Sequence, residues 1–173
     1  AAGRFVAKKG FDDILEAAAQ LQKDNFPVQI SLFGSGPLES KLRKKINDLA
    51  LTNTQLIGWT DDLHNEFEKA DVFCIPSLEE PFGLIIGEAM MHGLPVISTK
   101  TDGANEIFGT EPEGMGAIFV DFSSPDQIKN AIKDINNDQK RHFLANNARN
   151  NINKNFSLER LSERLRNLFE NAD

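Results

Sequence analysis

The chain has 173 residues and 40% hydrophobic content, which suits one domain with a sizeable core. Its formal net charge of -7 argues against non-specific binding of nucleic acid, so an anionic ligand would need positive charge gathered at one place. The single cysteine, Cys74, excludes a disulfide framework and favours a reducing compartment, and we expect this thiol to be a small buried hydrophobe.

The chain opens with a strand-like run at residues 1–6, which includes Arg4. Two lysines, Lys8 and Lys9, follow, and apolar residues then recur at helical spacing from Phe11 onward. Because a natural protein seldom starts within a strand, we expect this chain to be a fragment cut at a domain boundary. Arg4 and Lys9 stand near the first predicted helix start, whereas Lys8 is expected to be solvated.

Residues 28–33 form a second predicted strand, and a Gly-Ser-Gly-Pro turn beginning at Gly34 leads into a helix with one apolar face. Two glycines after a strand are also typical of a dinucleotide-binding turn. Glu39, however, stands where the third glycine of that turn would be, and an acidic side chain against a pyrophosphate is unfavourable. Pro37 is better explained as a residue of the first helical turn, so a nicotinamide cofactor is disfavoured.

Residues 54–57 form a third predicted strand, followed by a loop that begins with Gly58 and Trp59. Trp59, the one tryptophan in the chain, could stack on an aromatic base or cover the core, and we favour covering. After a short helix, apolar runs at residues 72–75 and 96–98 are predicted as the fourth and fifth strands.

The most informative stretch lies between those two strands, where Pro81 and Gly83 precede a short apolar helix. Pro81 restricts the residue before it to extended geometry, and Gly83, without a Cβ, lets another group approach its backbone closely. A helix starting near Gly83 or Leu84 would present free N–H groups and a partial positive charge, which suit a phosphate. In a parallel sheet this loop lies where strand carboxyl ends meet helix amino ends, the usual place for a ligand.

Two glutamates flank this helix start: Glu80 precedes it, and Glu88 lies about one turn, roughly 6 Å, beyond it. Carboxylates do not attract a phosphate, but they are strong acceptors for hydroxyl groups. A sugar nucleotide has a phosphate in the middle and hydroxyls at both ends, so it would satisfy all of these groups. Both glutamates could instead be surface residues among 26 acidic side chains, but the Pro-Phe-Gly between them argues against that interpretation.

The stretch resembles the signature of the retaining GT-B glycosyltransferases of family 4. The family pattern is Pro-Ser, Glu-Pro-Phe-Gly-Leu, Glu-Ala-Met and Gly-x-Pro-Val-Ile. In this chain it begins at Pro76. Seven residues lie between the two glutamates, as the family requires. One departure is Gly87, where the family usually has a larger apolar residue; glycine inside a helix costs about 1 kcal/mol relative to alanine. The resemblance extends from Gly3 to the last helix.

The resemblance implies a role for each matching residue. It assigns the donor's diphosphate to Arg4 and Lys9, the hydroxyls of the transferred sugar to Glu80, and the ribose hydroxyls to Glu88. The remaining matched positions would lie near the donor or its base: Phe82, Gly83, Leu84, Gly34 and Gly58. No cofactor is expected beyond the donor substrate itself, a UDP-, GDP- or ADP-sugar.

Later in the chain, Gly103 begins a Gly-Ala-Asn-Glu turn that resembles a family turn framing the donor sugar, although a plain helix start is equally compatible. Residues 117–120 are a sixth predicted strand. Ser124 is expected to cap the next helix, with Gln127 completing a capping box. Ser157 is expected to cap the last helix, whose apolar residues share one side: Leu158, Leu161, Leu165, Leu168 and Phe169.

The alternation of about six strands with helices predicts an α/β fold, a Rossmann-like doubly wound parallel sheet. By resemblance, this is one half of a GT-B fold. Residues 1–173 would then be the C-terminal nucleotide-sugar-binding domain, and the N-terminal acceptor domain would lie outside this chain.

The implied activity is retaining transfer of a glycosyl group from a nucleotide-sugar donor to a carbohydrate or lipid-linked acceptor, in cell-surface polysaccharide or lipopolysaccharide synthesis. The fragment alone is expected to be inactive. The sequence has no apolar run long enough to span a membrane and no recognisable signal peptide. We therefore expect a cytoplasmic protein, at most peripheral to the inner face of the membrane.

Two alternatives from other classes stay open. A sugar-nucleotide epimerase of the same architecture would need an acidic and histidine pattern of its own. His64, His92 and His142 are far apart in sequence and expected to be unclustered, so neither that pattern nor a metal site is predicted. A non-catalytic nucleotide-sensing module would keep Arg4 and Glu88 but could dispense with Glu80.

Overall fold

The computed structural model describes residues 1–170, apart from the side chains at positions 164, 165, 168 and 170. Strands and helices alternate along the chain. The strands are β1 (Ile30–Phe33), β2 (Thr54–Gly58), β3 (Phe73–Ile75), β4 (Val96–Thr99) and β5 (Ala117–Val120). The helices are α1 (Phe11–Lys23), α2 (Glu39–Asp48), α3 (Leu63–Glu68), α4 (Leu84–Met91), α5 (Asp102–Phe108), α6 (Pro125–Ile135), α7 (Asp138–Asn155) and α8 (Leu158–Glu170). Two 3-10 helices, Ala7–Lys9 and Pro112–Met115, precede α1 and β5.

The strands form two small parallel sheets. β1 pairs with β2, and β4 lies between β3 and β5, with Ile97 opposite both Cys74 and Ile118. Parallel neighbours need a crossover connection. Helix α2 connects β1 to β2, α4 connects β3 to β4, and α5 connects β4 to β5. The predicted α/β architecture with parallel strands is confirmed.

The opening run of the chain does not form the first of the six expected strands. Ala2 makes a single parallel bridge to Phe33, and the Gly3 N–H donates to the Phe33 carbonyl at 3.0 Å. Beyond Gly3 the backbone leaves the sheet, because the Phe5 N–H donates to the Ser35 carbonyl at 2.8 Å and the Phe5 ring is fully buried. The described residues therefore contain five strands instead of about six.

Helices cover both faces of the three-stranded sheet. In β4, Val96 packs in an apolar cluster with residues of α4, α5 and α7. The next residue, Ile97, packs in a different cluster with residues of α1 and α6, since successive side chains of a strand point to opposite faces. Both side chains are fully buried, and each such burial contributes roughly 1.5 to 3 kcal/mol. This two-sided cover is the arrangement that the continuous apolar runs predict.

Cys74 lies in β3, where it packs against two of the apolar clusters. Burial raises the pKa of its thiol to about 12. The thiol is therefore protonated near neutral pH and is a poor nucleophile. It serves as a small hydrophobe, although its side chain is half-buried and not fully buried as the sequence predicts.

The predicted helix caps are confirmed in one case and wrong in another. The Ser157 hydroxyl oxygen accepts a hydrogen bond from the Arg160 N–H at 3.2 Å and caps α8. Ser124 precedes α6, but its hydroxyl donates to a carbonyl two residues earlier. Gln127 accepts from the Asp121 N–H at 2.8 Å instead of completing a capping box. The turn before α6 therefore uses these side chains to close itself.

The last helix, α8, presents apolar side chains to solvent. Leu158 is 78% exposed and Phe169 is 76% exposed, and Leu161 is also exposed. Leu165 and Leu168, the other expected members of this stripe, lie outside the residues whose side chains are described. None of the helices within residues 1–170 combines the length and apolar character that a membrane crossing requires.

Gly114 and Gly116, at the end of the second 3-10 helix, differ in how closely α7 packs against them. At Gly116, φ is 95° and an added Cβ would lie 2.3 Å from the Ala148 backbone nitrogen. We predict that Gly116→Ala lowers the free energy of unfolding in urea by roughly 2 to 5 kcal/mol, through left-handed strain and overpacking. Gly114→Ala is the control, since a Cβ there meets nothing within 4 Å, and it should change stability by less than about 0.5 kcal/mol. Equal losses would contradict the packing.

Candidate functional site

The loops that follow the strands gather around a cavity of about 520 Å³ at the carboxyl ends of β1 and β2. In parallel α/β sheets this edge is where ligands bind, because helix amino ends and loop backbone groups converge there. The cavity wall includes Arg4, Gly34, Ser35, Trp59, Thr60 and Ile85. Three of the sequence-predicted positions therefore lie near this cavity: Arg4 and Gly34 in its wall, and Gly58 directly before Trp59.

Gly34 allows two backbone segments at this edge to approach each other closely. A Cβ at Gly34 would lie 1.9 Å from the Gly3 carbonyl oxygen, so only glycine fits between these two segments. The Gly34 N–H donates to the Gly58 carbonyl at 2.7 Å. The predicted turns after β1 and β2 are therefore joined to the segment that carries Arg4.

Arg4 is a free cation at the cavity. Its side chain is exposed, and among the described residues it makes no hydrogen bond or ion pair. Arg4 therefore fits the predicted role of an anion-binding side chain, since its five N–H donors have no competing acceptor in the part of the chain that the structure describes.

Lys9 differs from Arg4 because it is paired with Glu80. The Lys9 ammonium donates to the Glu80 carboxylate, and these two side chains are only 20% and 12% exposed. Their neighbours Lys8 and Glu79 also form an ion pair, at 3.2 Å, but both of those side chains are solvent-exposed. The structure thus brings together two residues that the sequence assigned to separate parts of a ligand.

The backbone reinforces this contact between the first 3-10 helix and the loop after β3. The Leu78 N–H donates to the Lys8 carbonyl at 2.7 Å. Gly10, at φ 68°, packs so closely that an added Cβ would lie 2.1 Å from the Pro76 carbonyl oxygen. The Lys9–Glu80 pair therefore lies between two segments whose separation is fixed.

The start of α4 matches the prediction made for it. Gly83 is the N-cap residue at φ 78°, and α4 begins at Leu84 without a side-chain cap. The N–H groups of Leu84 and Ile85 belong to the first turn and have no intrahelical acceptor. Ile85 also lines the cavity, so this positive helix end lies beside it. Phe82, directly before Gly83, is partly exposed at 44%.

Glu88 lies on α4, about 6 Å along the axis from the helix start at 1.5 Å per residue. Its carboxylate is exposed and makes no hydrogen bond or ion pair among the described residues. Glu80, in contrast, is largely buried and paired with Lys9. The two glutamates therefore stand in different environments on either side of one helix start.

The turn at Gly103 holds the Glu80 loop in place. The Gly103 N–H donates to the Glu80 carbonyl at 2.8 Å, and a Cβ there would lie 2.4 Å from the Phe82 carbonyl oxygen. Thr101 caps α5 through a hydrogen bond from the Ala104 N–H at 3.3 Å. This turn is therefore a helix start that supports the loop, and the Gly103 amide is already occupied by a protein acceptor.

Trp59 does not cover the core, so that expectation is wrong. Its side chain is 71% exposed and lies in the cavity wall beside Thr60. The β2 ladder ends at Gly58, where φ is 99°, and the chain turns outward there. The other interpretation, stacking on an aromatic ligand, is the one that this position favours.

The expectation that the histidines are unclustered is wrong for two of them. His64 Nδ1 and His92 Nε2 lie 2.9 Å apart, at the start of α3 and just after α4. The His92 ring also packs against Phe67, with centroids 5.6 Å apart. Residues 28 positions apart in sequence meet because α3 and α4 are neighbours. Within the described residues, no group of three or more metal-ligating side chains comes together.

Sequence reasoning missed several cavity residues. Ser35 lies between the two glycines of the turn after β1, Thr60 follows Trp59, and Ile85 follows Leu84. A signal was available for Ser35 and Ile85, since each is the immediate neighbour of a predicted site residue. Thr60 instead follows Trp59, which was expected to cover the core. The Lys9–Glu80 contact carried no such signal, because its partners are 71 positions apart in the sequence.

The family model described as glycosyl transferases group 1 matches residues 1–155, and the chain belongs to this family. Among curated proteins, the lipopolysaccharide core biosynthesis glycosyltransferase LpsE of Rhizobium meliloti is 31% identical over 163 residues, which are 93% of this chain and 46% of LpsE. An Escherichia coli UDP-Gal:alpha-D-GlcNAc-diphosphoundecaprenol alpha-1,3-galactosyltransferase is 28% identical, over 96% of this chain and 43% of that protein. The chain therefore spans about half the length of these curated relatives.

Solved structures show the same fold. A mutant of S. aureus TarM in complex with fondaparinux, alpha-GlcNAc-glycerol and UDP matches with a TM-score of 0.85 and 26% identity, over 97% of this chain and 34% of that one. Sucrose-phosphate synthase from Thermosynechococcus elongatus matches with a TM-score of 0.82 and 27% identity, over 97% of this chain and 43% of that one. The predicted resemblance to GT-B glycosyltransferases is confirmed.

The Lys9–Glu80 pair should show strong energetic coupling. Lys9→Met alone leaves a largely buried carboxylate without its cation, so we predict a loss of about 1 to 3 kcal/mol in the free energy of unfolding. Lys9→Met combined with Glu80→Gln should lose less than the sum of the single variants, with a coupling above about 0.5 kcal/mol in urea titrations.

The control for this cycle is the exposed pair Lys44–Asp48, whose side chains are 74% and 58% exposed. Its coupling should be below about 0.5 kcal/mol, because water screens the charges. Equal coupling in both pairs would show that the Lys9–Glu80 contact is an ordinary surface ion pair.

Proposed function

We propose that this chain is the donor-binding half of a retaining glycosyltransferase and that it binds a nucleoside-diphosphate sugar. The observation that carries the proposal is that two positive groups flank one cavity: Arg4, which has no partner among the described residues, and the helix start at Gly83, which has no side-chain cap. Glu80 and Glu88 stand on either side of that helix start. The arrangement offers positive charge to a diphosphate. On either side of that charge, a carboxylate can accept hydrogen bonds from hydroxyl groups.

The relatives support this class of ligand. The E. coli relative is named for UDP-Gal, and a Corynebacterium glutamicum relative, 28% identical, is named as GDP-mannose-dependent. The TarM mutant structure contains UDP. All three ligands share a diphosphate and a ribose, so they support a nucleoside diphosphate while leaving the base open.

In the proposed reaction the diphosphate leaves the sugar and gains negative charge. Arg4, Lys9 and the free amides at the start of α4 would stabilise that charge, which is electrostatic catalysis by donors already in position. Lys9 would have to exchange Glu80 for the phosphate, or bind both. Glu80 would then be released to accept hydrogen bonds from hydroxyls of the transferred sugar, and Glu88 would hold the ribose.

The acceptor would be bound by a second, N-terminal domain and would be a carbohydrate or a lipid-linked sugar. The LpsE and diphosphoundecaprenol relatives support a role in lipopolysaccharide or other cell-surface polysaccharide synthesis. We place the whole protein in the cytoplasm, with peripheral attachment to the inner face of the membrane as part of the same proposal. Retention of anomeric configuration is proposed from the family signature.

The alternatives are less well supported. An epimerase would need acid–base groups beside the sugar. His92 follows the last residue of α4, roughly 12 Å along the helix from its start, and the ring of its partner His64 is turned toward it. A nucleotide-sensing module would not need a sugar-side carboxylate held in place. Here Glu80 is fixed by Lys9 and by the Gly103 N–H, which favours the transferase.

Arg4 should carry affinity for the diphosphate. We predict that Arg4→Ala weakens binding of UDP, GDP or ADP, whichever the chain binds, by about 10-fold or more, since a charged hydrogen bond is worth about 1.5 to 3 kcal/mol. Binding of the matching nucleoside should hardly change. Calorimetric titration of both ligands measures the difference.

The control for Arg4 is Lys8→Ala, which removes an exposed cation of the same region that already pairs with Glu79. It should leave both affinities within about 2-fold, because water screens exposed charge. A comparable loss in the Lys8 variant would mean that general charge, and not a specific contact, attracts the nucleotide.

Changing Glu80 and Glu88 to glutamine should affect ligand affinity in different ways. Glu88→Gln should weaken binding of the bare nucleotide by about 1.5 to 3 kcal/mol, since it removes a charged acceptor for the ribose. Glu80→Gln should leave nucleotide binding nearly intact or slightly tighter, because it frees Lys9, and should reduce the extra affinity that the attached sugar supplies. Titrations with nucleotide and with sugar nucleotide separate the two effects.

Glu79→Gln is the matched control, because Glu79 is the exposed neighbour of Glu80. It should bind both ligands as the unmodified chain does. If the Glu80 and Glu88 variants behave alike toward both ligands, the division of roles between sugar and ribose is wrong.

A further inference from the structure

Two histidines meet at the end of α4, away from the helix start at Gly83. His64 Nδ1 and His92 Nε2 lie 2.9 Å apart, and the two ring centroids are 5.1 Å apart. In the neutral pair, one ring N–H donates to the lone pair of the other ring nitrogen. Neutral imidazole nitrogens are also common ligands of divalent transition metals. The pair therefore brings two metal-ligating groups to one place.

Packing between α3 and α4 holds the two rings together. The His92 ring contacts Phe67, whose side chain is buried, with centroids 5.6 Å apart. Phe67 lies three positions after His64, so these two side chains share one face of α3. His92 thus packs against side chains from neighbouring turns of α3. His64 is exposed and His92 is half-buried, so a metal ion can reach both rings from solvent and keep bound water.

The separation of the two nitrogens suits a metal ion whose neighbouring ligands stand at right angles. Two nitrogens bound to such an ion at about 2.0–2.1 Å are about 2.9 Å apart, whereas at the tetrahedral angle they are about 3.4 Å apart. The observed 2.9 Å matches the first value. Right-angle geometry is typical of Ni²⁺ and Cu²⁺. Both rings have to turn about their side-chain bonds so that the two lone pairs converge on the ion.

The charge around the pair favours a cation. Two basic side chains adjoin it: Lys69 pairs with Glu66 at 2.8 Å, and the Arg149 guanidinium donates to the His92 carbonyl at 3.5 Å. Residues 61–68 contain four acidic side chains and no lysine or arginine: Asp61, Asp62, Glu66 and Glu68. Four negative charges against two positive ones leave this surface acidic, which raises the local concentration of metal ions.

We propose that His64 and His92 form a two-histidine site for a divalent transition metal ion, with Ni²⁺ or Cu²⁺ preferred over Zn²⁺. Water completes the coordination, because no group of three metal-ligating side chains comes together in the part of the chain that the structure describes. The ion replaces the hydrogen bond between the rings and connects α3 to α4. Leu63 of α3 and Ile85 of α4 both line the candidate cavity, so the ion braces two helices of its wall. The site does not depend on binding of a sugar nucleotide.

Calorimetric titration of the untagged chain with Ni²⁺ tests the proposal, and we expect one ion per chain. His64→Ala and His92→Ala should each weaken the affinity at least about 10-fold, because each removes one of the two protein ligands. The titration is repeated with Zn²⁺, which should bind more weakly than Ni²⁺, and with Mg²⁺, which prefers oxygen ligands and should not bind at the pair.

His142→Ala is the matched control. His142 lies on α7, where its Nδ1 contacts the Asp138 carbonyl at 2.7 Å, so it is not a ligand of the proposed site. This variant should keep the Ni²⁺ affinity within about 2-fold of the unmodified chain. A loss comparable to that of His64→Ala would show general attraction of metal ions to surface histidines and would overturn the proposal.

Two further measurements do not depend on titration curves. X-ray absorption of the Ni²⁺ complex should show two imidazole rings in the unmodified chain and one in His64→Ala. Ni²⁺ at about 100 times its Kd should raise Tm by at least about 3 °C in the unmodified chain, and by less in His64→Ala at the same concentration. Because His64 is exposed, its replacement leaves the core intact. Equal Ni²⁺ affinity with and without His64, or tighter binding of Zn²⁺ than of Ni²⁺, overturns the proposal.

Discussion

The close approach of Gly10 to the Pro76 carbonyl sets the geometry of the candidate site. In the described residues the two sheets share no strand, so their loops are aligned by contacts of this kind and by helix packing. A Cβ at Gly10 would lie 2.1 Å from that oxygen, and the Leu78 N–H reaches the Lys8 carbonyl beside it. The basic amino-terminal segment and the acidic loop after β3 are thereby held at a fixed spacing.

That spacing makes Lys9 and Glu80 partners before any ligand is present. A carboxylate carries one negative charge, whereas a diphosphate carries more and offers several acceptor oxygens, so it can compete for the lysine. A neutral ligand cannot compete with Glu80 for the lysine in this way. In the proposed function, the ion pair would act as a filter for strongly anionic ligands. Arg4, which has no protein partner among the described residues, would provide the first attraction.

Local patterns predicted α4 well because its start is determined locally, by Gly83 and the apolar residues after it. The α/β class followed from alternating runs for the same reason. Contacts between distant segments were not predictable from one sequence: Lys9 meets Glu80, and His64 meets His92, only once the helices pack. The exposure of Trp59 depends on where the β2 ladder ends, which periodicity does not specify.

The chemistry of Cys74 makes the chain well suited to spectroscopic labelling. With a pKa of about 12, the native thiol reacts little with maleimides near neutral pH, because these reagents consume thiolate. A cysteine introduced by Met91→Cys, at a side chain that is 63% exposed, would then be modified selectively. One fluorophore at the end of α4 could report motion of that helix without first removing the native sulfur atom from β3.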